Sequence, residues 1–139
     1  MAAIPAAFNH RGAKLSHKFV CKTSDTFALY QAVVFDSGSS TSVTATTAAD
    51  SEAVIGIAME AITTAAAGRE IEILLLAPGD IFVMINGGTC TAGLSVAIEG
   101  TDGRVTNVGA TPASGSCIGV VLATTATDGD YVPVLVGRH

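Results

Sequence analysis

Tryptophan is absent from this chain, aromatic residues fill only 5% of its 139 positions, and charged residues only 14%. Globular chains usually carry about 25% charge. Sugar sites are built on exposed aromatic rings, so the missing tryptophan argues against one. Single-strand nucleic-acid grooves interleave basic and aromatic side chains. Here Phe27, Tyr30, Phe35, Phe82 and Tyr131 have almost no basic neighbours and read as core residues. The net charge of −5 also repels a phosphate backbone, so nucleic acid is not an expected partner. The three cysteines, Cys21, Cys90 and Cys117, are odd in number and widely spaced, without a C-x-x-C. They read as buried free thiols of a protein assembled in a reducing cytoplasm, not as a disulfide framework or zinc site.

Catalytic parts are equally scarce. His10, His17 and His139 all lie near the termini, poor places to hold a general base. No H-x-x-x-H or H-E-x-x-H offers metal ligands, no G-x-S-x-G offers a nucleophile, and no Walker phosphate loop occurs. Asp128-Gly129-Asp130 lacks the further ligands of a calcium loop and reads as a turn. Glu60, Glu70 and Glu72 are close in sequence, but Glu70 and Glu72 alternate outward as solubilising strand charges would. The expectation is a non-enzyme with no metal and no cofactor. No apolar stretch reaches the 18 or so residues of a membrane helix. Met1–Ala7 is apolar but lacks the basic start of a signal peptide. Neither a membrane partner nor export is therefore expected.

What is present is apolar and punctuated. Apolar residues make up 49% and glycine accounts for 15 positions. Turn dipeptides at Asp36-Ser37-Gly38, Pro78-Gly79, Asn86-Gly87-Gly88, Asp102-Gly103 and Asp128-Gly129 separate short runs of Val, Ile, Leu and Thr. This pattern predicts an all-β fold, a small barrel or sandwich. Strands are expected at 32–35, 54–60, 70–76, 81–85, 95–99, 117–122 and 131–136, with weaker ones at 43–46 and 104–108.

The Ala-rich stretch 53–68 has helical propensity, but an internal repeat argues for strand. Val54-Ile55-Gly56-Ile57-Ala58-Met59 matches Cys117-Ile118-Gly119-Val120-Val121-Leu122. After a two-residue gap Gly68 matches Gly129, and Ile71–Leu75 matches Val132–Val136. Leu29–Asp36 and Leu94–Gly100 pair less clearly. The repeat predicts a pseudo-symmetric β fold, with a loop or one helical turn at 63–68. Pro133, lacking an N–H, predicts an edge strand or a strand end.

The positive charge is concentrated at one end. Residues 1–22 hold Arg11, Lys14, Lys18 and Lys22 and no acid; the remainder holds three basic residues against all twelve acids. Two units follow: a basic arm, 1–22, and a β body, 23–139. Extended, the arm would reach roughly 70 Å at about 3.3 Å per residue. Ile4, Phe8, Leu15 and Phe19 could anchor it on a neighbour, or form one side of a short helix. A solvated tail remains the plainer alternative.

The order of motifs resembles a family of phage capsid cement or decoration proteins grouped under the DUF2190 domain. The likeness rests on Ile55-Gly56-Ile57-Ala58-Met59-Glu60-Ala61 followed by Glu70–Leu75, on Thr91-Ala92-Gly93-Leu94-Ser95-Val96 followed by Asp102-Gly103-Arg104-Val105-Thr106, and on the close from Ile118 to Val136. It covers roughly residues 27–137 and leaves the basic arm without a counterpart. It implies a structural protein on the outer surface of a phage head, bridging major capsid protein subunits. It also implies a homo-oligomer, a trimer before a dimer. The charge asymmetry, not the resemblance, makes the basic arm the expected capsid contact, through Ile4, Phe8, Arg11, Lys14, Leu15, Lys18, Phe19 and Lys22, with the β body making the self-contacts. A secreted or tail-associated β-domain that binds a carbohydrate or receptor is the alternative.

Overall fold

The computed structural model describes residues 15–37, 39, 41–45, 54–99, 102–108 and 117–137. Among them are ten strands and no helix: β1 Ser16–Cys21, β2 Ala32–Phe35, β3 Ser42–Ala45, β4 Gly56–Ala58, β5 Glu70–Leu75, β6 Ile81–Ile85, β7 Ser95–Glu99, β8 Arg104–Asn107, β9 Gly119–Val121 and β10 Tyr131–Val136. The all-β expectation holds. The stretch 63–68 is loop, closed by Gly68 at φ +80°.

The first five strands form a closed barrel in the order β1-β3-β2-β4-β5, and the last five a sheet in the order β6-β10-β9-β7-β8. Written from corresponding ends, the two orders are the same, strand for strand. The registers match too. Val33 pairs with Gly56 and Gly56 with Leu75; Val96 pairs with Gly119 and Gly119 with Val136. The isolated bridge Phe27–Ile62 reappears as Cys90–Thr125. Tyr30 donates its N–H to Ala58 O at 2.7 Å, and Gly93 donates to Val121 O at 2.8 Å. Tyr30 and Gly93 both hold positive φ, +68° and +88°. The chain is therefore a tandem duplication of one five-stranded unit, and the repeat read from β4/β9 and β5/β10 extends over all ten strands.

Closure differs between the copies. Parallel pairing of Val20–Ser42 and Cys21–Val43 shuts the first barrel. In the second, the β-bridge seen at the seam of β6 and β8 among the described residues is the parallel pair Asn86–Val105. Asn86 is wholly buried there and its amide is satisfied. Nδ2 donates to Gly88 O and Thr127 O, each at 2.8 Å, while Oδ1 accepts from Gly88 N and the Cys90 thiol. A polar side chain this deep is tolerated only because every partner is present.

Two sequence expectations are corrected. Ser16–Cys21, assigned to the arm, is a strand of the barrel, held along its length by β5 from Ser16–Leu74 to Val20–Glu70. The run was missed because exposed His17 and Lys18 dilute its apolar alternation; the side chains that face the interior are Phe19 and Cys21. Pro133 is not at an edge: β10 pairs with both β6 and β9. Its ring is accommodated because its N–H would point where β9 has already ended; its carbonyl accepts the Leu122 N–H at 2.9 Å. In the first copy the same position is Glu72, whose N–H needs the Glu60 carboxylate at 3.4 Å. A residue without an N–H removes that requirement.

The glycines at the start of β4 and β9 follow from close backbone approach. A side-chain carbon at Gly56 would collide with the Leu74 carbonyl oxygen, and one at Gly119 with that of Leu135. The three cysteines are buried free thiols, as expected.

The two barrels share apolar packing. The interior of the first is Cys21, Phe27, Val33, Val43, Ala58, Ile62, Ala65, Ile71 and Ile73. Its outer wall carries the row Ala32–Ile57–Leu74, paired straight across three strands. That row and Val54 belong to one buried cluster with Phe82, Met84, Ile98, Ile118 and Val136, the side chains at the open end of the second barrel. The wall of the first barrel thus caps the mouth of the second. Beside it, Gln31 Nε2 donates to Asp102 O at 2.6 Å and Ala32 N–H to Gly103 O at 3.0 Å. Tyr30 meets Tyr131 edge-on at 5.2 Å between ring centroids.

Candidate functional site

Of the residues expected to touch a capsid, Ile4, Phe8, Arg11 and Lys14 lie outside the described residues. The other four are placed on the first barrel. Leu15, 71% exposed, stands at the rim where β1 begins, and its carbonyl accepts the Leu75 N–H at 2.8 Å. Lys18 is exposed on β1 opposite Glu72. Phe19 is half-buried against the barrel interior. Lys22 is exposed and 3.7 Å from the Asp36 carboxylate, a surface pair worth little. The structure therefore splits the set. Leu15 and Phe19 lie at the barrel mouth, whereas Lys18 is on the outer face among Glu70 and Glu72.

The mouth of the first barrel is the more distinctive surface. His17, Phe19 and Phe35 stack edge to face, with ring centroids 4.7 Å apart for His17–Phe19 and 5.6 Å for Phe19–Phe35. Phe35, expected in the core, is 39% exposed. The half-buried Ile55 and Leu75 pack beneath this rim. These positions correspond, register for register, to Phe82, Met84, Ile98, Ile118 and Val136 of the second barrel, all of which are buried. Aromatics spaced along different strands gave no sequence signal that they converge.

A second surface lies on the outer wall of the second barrel. Ser95, Val120 and Leu135 pair across β7, β9 and β10, and Ile81 of β6 continues the row. Leu135 is 38% exposed, and Leu94, next to Ser95, is 49% exposed. At the seam between the barrels an apolar pocket of about 220 Å³ is lined by Val54, Leu76, Pro78, Ile118, Val136 and Gly137. It offers no charged group to orient a ligand.

The polar groups do not converge. Arg104 joins the Asp102 and Asp128 carboxylates at 3.3 and 2.6 Å, and Arg69 joins Glu60 at 2.8 Å. Among the described residues no three His, Cys, Asp or Glu side chains are placed to hold a metal ion. Burial raises the Cys90 thiol to about 11 and also raises Cys21, where nearby Arg69 opposes the shift and Glu60 and Asp25 add to it. Thiols held protonated in this way are weak nucleophiles.

No family model matches the sequence, and no curated protein does. Among solved structures, the chain is similar to the N base of the head fiber gp8.5 of bacteriophage phi29, with a TM-score of 0.63. The match spans 91% of this chain and 96% of that one, at 13% identity. At that identity the likeness is one of fold. It takes in both barrels, so the tandem arrangement is shared and not only the single unit.

Proposed function

We propose that this chain is a structural protein of a phage virion, a decoration or cement protein that binds the outer surface of the head and strengthens contacts between major capsid protein subunits. The observation that carries this reading is the match, over nearly the whole of both chains, to the base of a phage head fiber. The DUF2190-like motif order agrees with it, as does a surface whose unusual features are apolar patches instead of a converged polar site. In this reading the protein performs no catalysis and needs no cofactor. It acts as a homo-oligomer, a trimer before a dimer, and many weak contacts repeated over a lattice supply its avidity. In this reading residues 1–14, with Ile4, Phe8, Arg11 and Lys14, contact capsid protein, and the β body makes the self-contacts.

A second reading, a carbohydrate- or receptor-binding domain, is favoured only by the ring cluster of exposed His17 and Phe35 with half-buried Phe19 between them. Gradient-purified heads of the phage that encodes the chain decide between them. The protein is expected in fixed stoichiometry on full heads, and a chain lacking residues 1–14 is expected to compete poorly for bare heads. Recovery of the protein only as a free soluble species would overturn the capsid reading.

A further inference from the structure

Among the described residues the exposed large apolar side chains are Leu15, Phe35, Leu94 and Leu135. They are not scattered. The duplication explains where they fall, because the joint between the two barrels is heterologous: the wall of one copy covers the mouth of the next. A tandem pair joined this way always leaves one mouth and one wall unused. The mouth left uncovered among the described residues is that of the first barrel, where Leu15 and Phe35 lie. The unused wall is that of the second, where Leu135 takes the place of buried Leu74, and Leu94 that of buried Gln31.

We infer that these two surfaces are complementary halves of a joint between copies of this chain. The first-barrel mouth of one copy, Phe19 and Phe35 with Leu15 at its rim, seats on the Leu94, Val120 and Leu135 wall of another. The occupant is a second copy because the chain already contains a worked example of the same contact, made by the same backbone positions. The outer joint is weaker than the inner one for visible reasons. Inside, Tyr30 packs on Val83, Ile85 and Tyr131. In the outer joint Gly93 stands in place of Tyr30, and Lys18, Val20 and Glu70 stand in place of the three residues that receive it. His17 likewise replaces buried Phe82. The inner joint is therefore permanent and the outer one reversible. A mouth-to-wall contact between identical copies is head-to-tail, so repeating it either closes a ring or grows a filament. A cyclic trimer falls within that pattern. The inference deepens the self-association in the proposed function and rests on it, but it does not require that the partner lattice be a capsid.

Sedimentation of the purified full chain, without heads, tests it. The intact protein is expected to associate with rising concentration. Phe35→Glu, which alters the mouth, and Leu135→Glu, which alters the wall, are each expected to stop association at the monomer, because mouth and wall are both needed to extend it. Mixed together, the two variants are expected to form a dimer with one chain of each, since the intact wall of one meets the intact mouth of the other. Leu15→Glu and Leu94→Glu, at the two most exposed positions, provide a second pair should either first variant melt differently from the parent. An intact chain that stays monomeric up to ~1 mM, where contacts of only about 4 kcal/mol register, would overturn the proposal. Folded variants that fail to complement one another in the mixture would overturn it too, because a two-fold contact of either surface with itself gives that result.

Discussion

Gly56 and Gly119 show how much a single residue reveals when its reason is known. Each begins a central strand so closely opposed by its neighbour that a methyl group would strike a carbonyl oxygen. That requirement preserved the Ile-Gly-Ile and Ile-Gly-Val pattern from which the repeat was legible. Asn86 is the opposite case. It reads as part of an Asn-Gly-Gly turn, and nothing local announces that it fills the closing seam of a barrel. Cys90 packs against it and carries a pH-dependent share of stability. Its thiol is raised from 9.0 to about 11 by loss of hydration. Above pH 9 the unfolded chain ionises this thiol while the folded chain keeps its proton. The unfolded state then binds fewer protons, and stability falls as pH rises. Urea denaturation between pH 8 and 11 is expected to show a decline to which this group contributes about 2 kcal/mol. In Cys90→Ala the decline is expected to be shallower, with the remainder coming from Cys21 and Tyr131, also raised by burial.

Strands five and ten show where element-level reading succeeds and where it stops. Both were legible from alternation and β-branching, and the repeat linked one to the other. The position of Pro133 was misread because the rule against proline in a central strand assumes that the neighbouring strand continues past it. Here β9 ends at Val121, so the missing N–H has no ladder partner to lose. The duplication turns this into a prediction for β5. Glu72→Pro is expected to cost only about 1 kcal/mol, since it gives up one long bond to the Glu60 carboxylate. Leu75→Pro, three residues away, deletes the N–H that donates to Leu15 O at 2.8 Å, a ladder bond between β5 and the start of β1, and is expected to cost clearly more than Glu72→Pro. Equal losses for the two variants in urea midpoints would contradict the correspondence of Glu72 with Pro133. β1 escaped the sequence for a different reason. A strand at a barrel mouth keeps its first residues in water, so an inward-facing position near its start, here His17, need not be apolar.

At the scale of the molecule, the charge asymmetry drew the domain boundary in the wrong place. Lys18 and Lys22 belong to the positive cluster by composition, yet both lie on or directly after a strand of the barrel. A boundary after residue 22 cuts through the barrel, which already includes Ser16–Cys21. Two truncations separate the views by calorimetry. Removal of residues 1–14 is expected to shift the melting midpoint by no more than a few degrees. Removal of residues 1–22 takes away β1, opens the first barrel between β3 and β5, and exposes Phe27, Val33, Val43 and Ile71. Its cooperative melting is expected to be lost. Two-barrel organisation was only partly legible, because ten short strands of similar composition do not say which five close on each other.

The placement of β1 also has a mechanical meaning. Any load applied to the chain ahead of Leu15 enters the protein through this strand, at the rim of the first barrel. β1 lies alongside β5 for five consecutive pairs, from Ser16–Leu74 to Val20–Glu70. A pull along the strand strains those pairs in shear, all together, whereas a pull across it would part them one at a time. An anchor leaving the rim in the direction of the strand would therefore hold until the whole seam gave way.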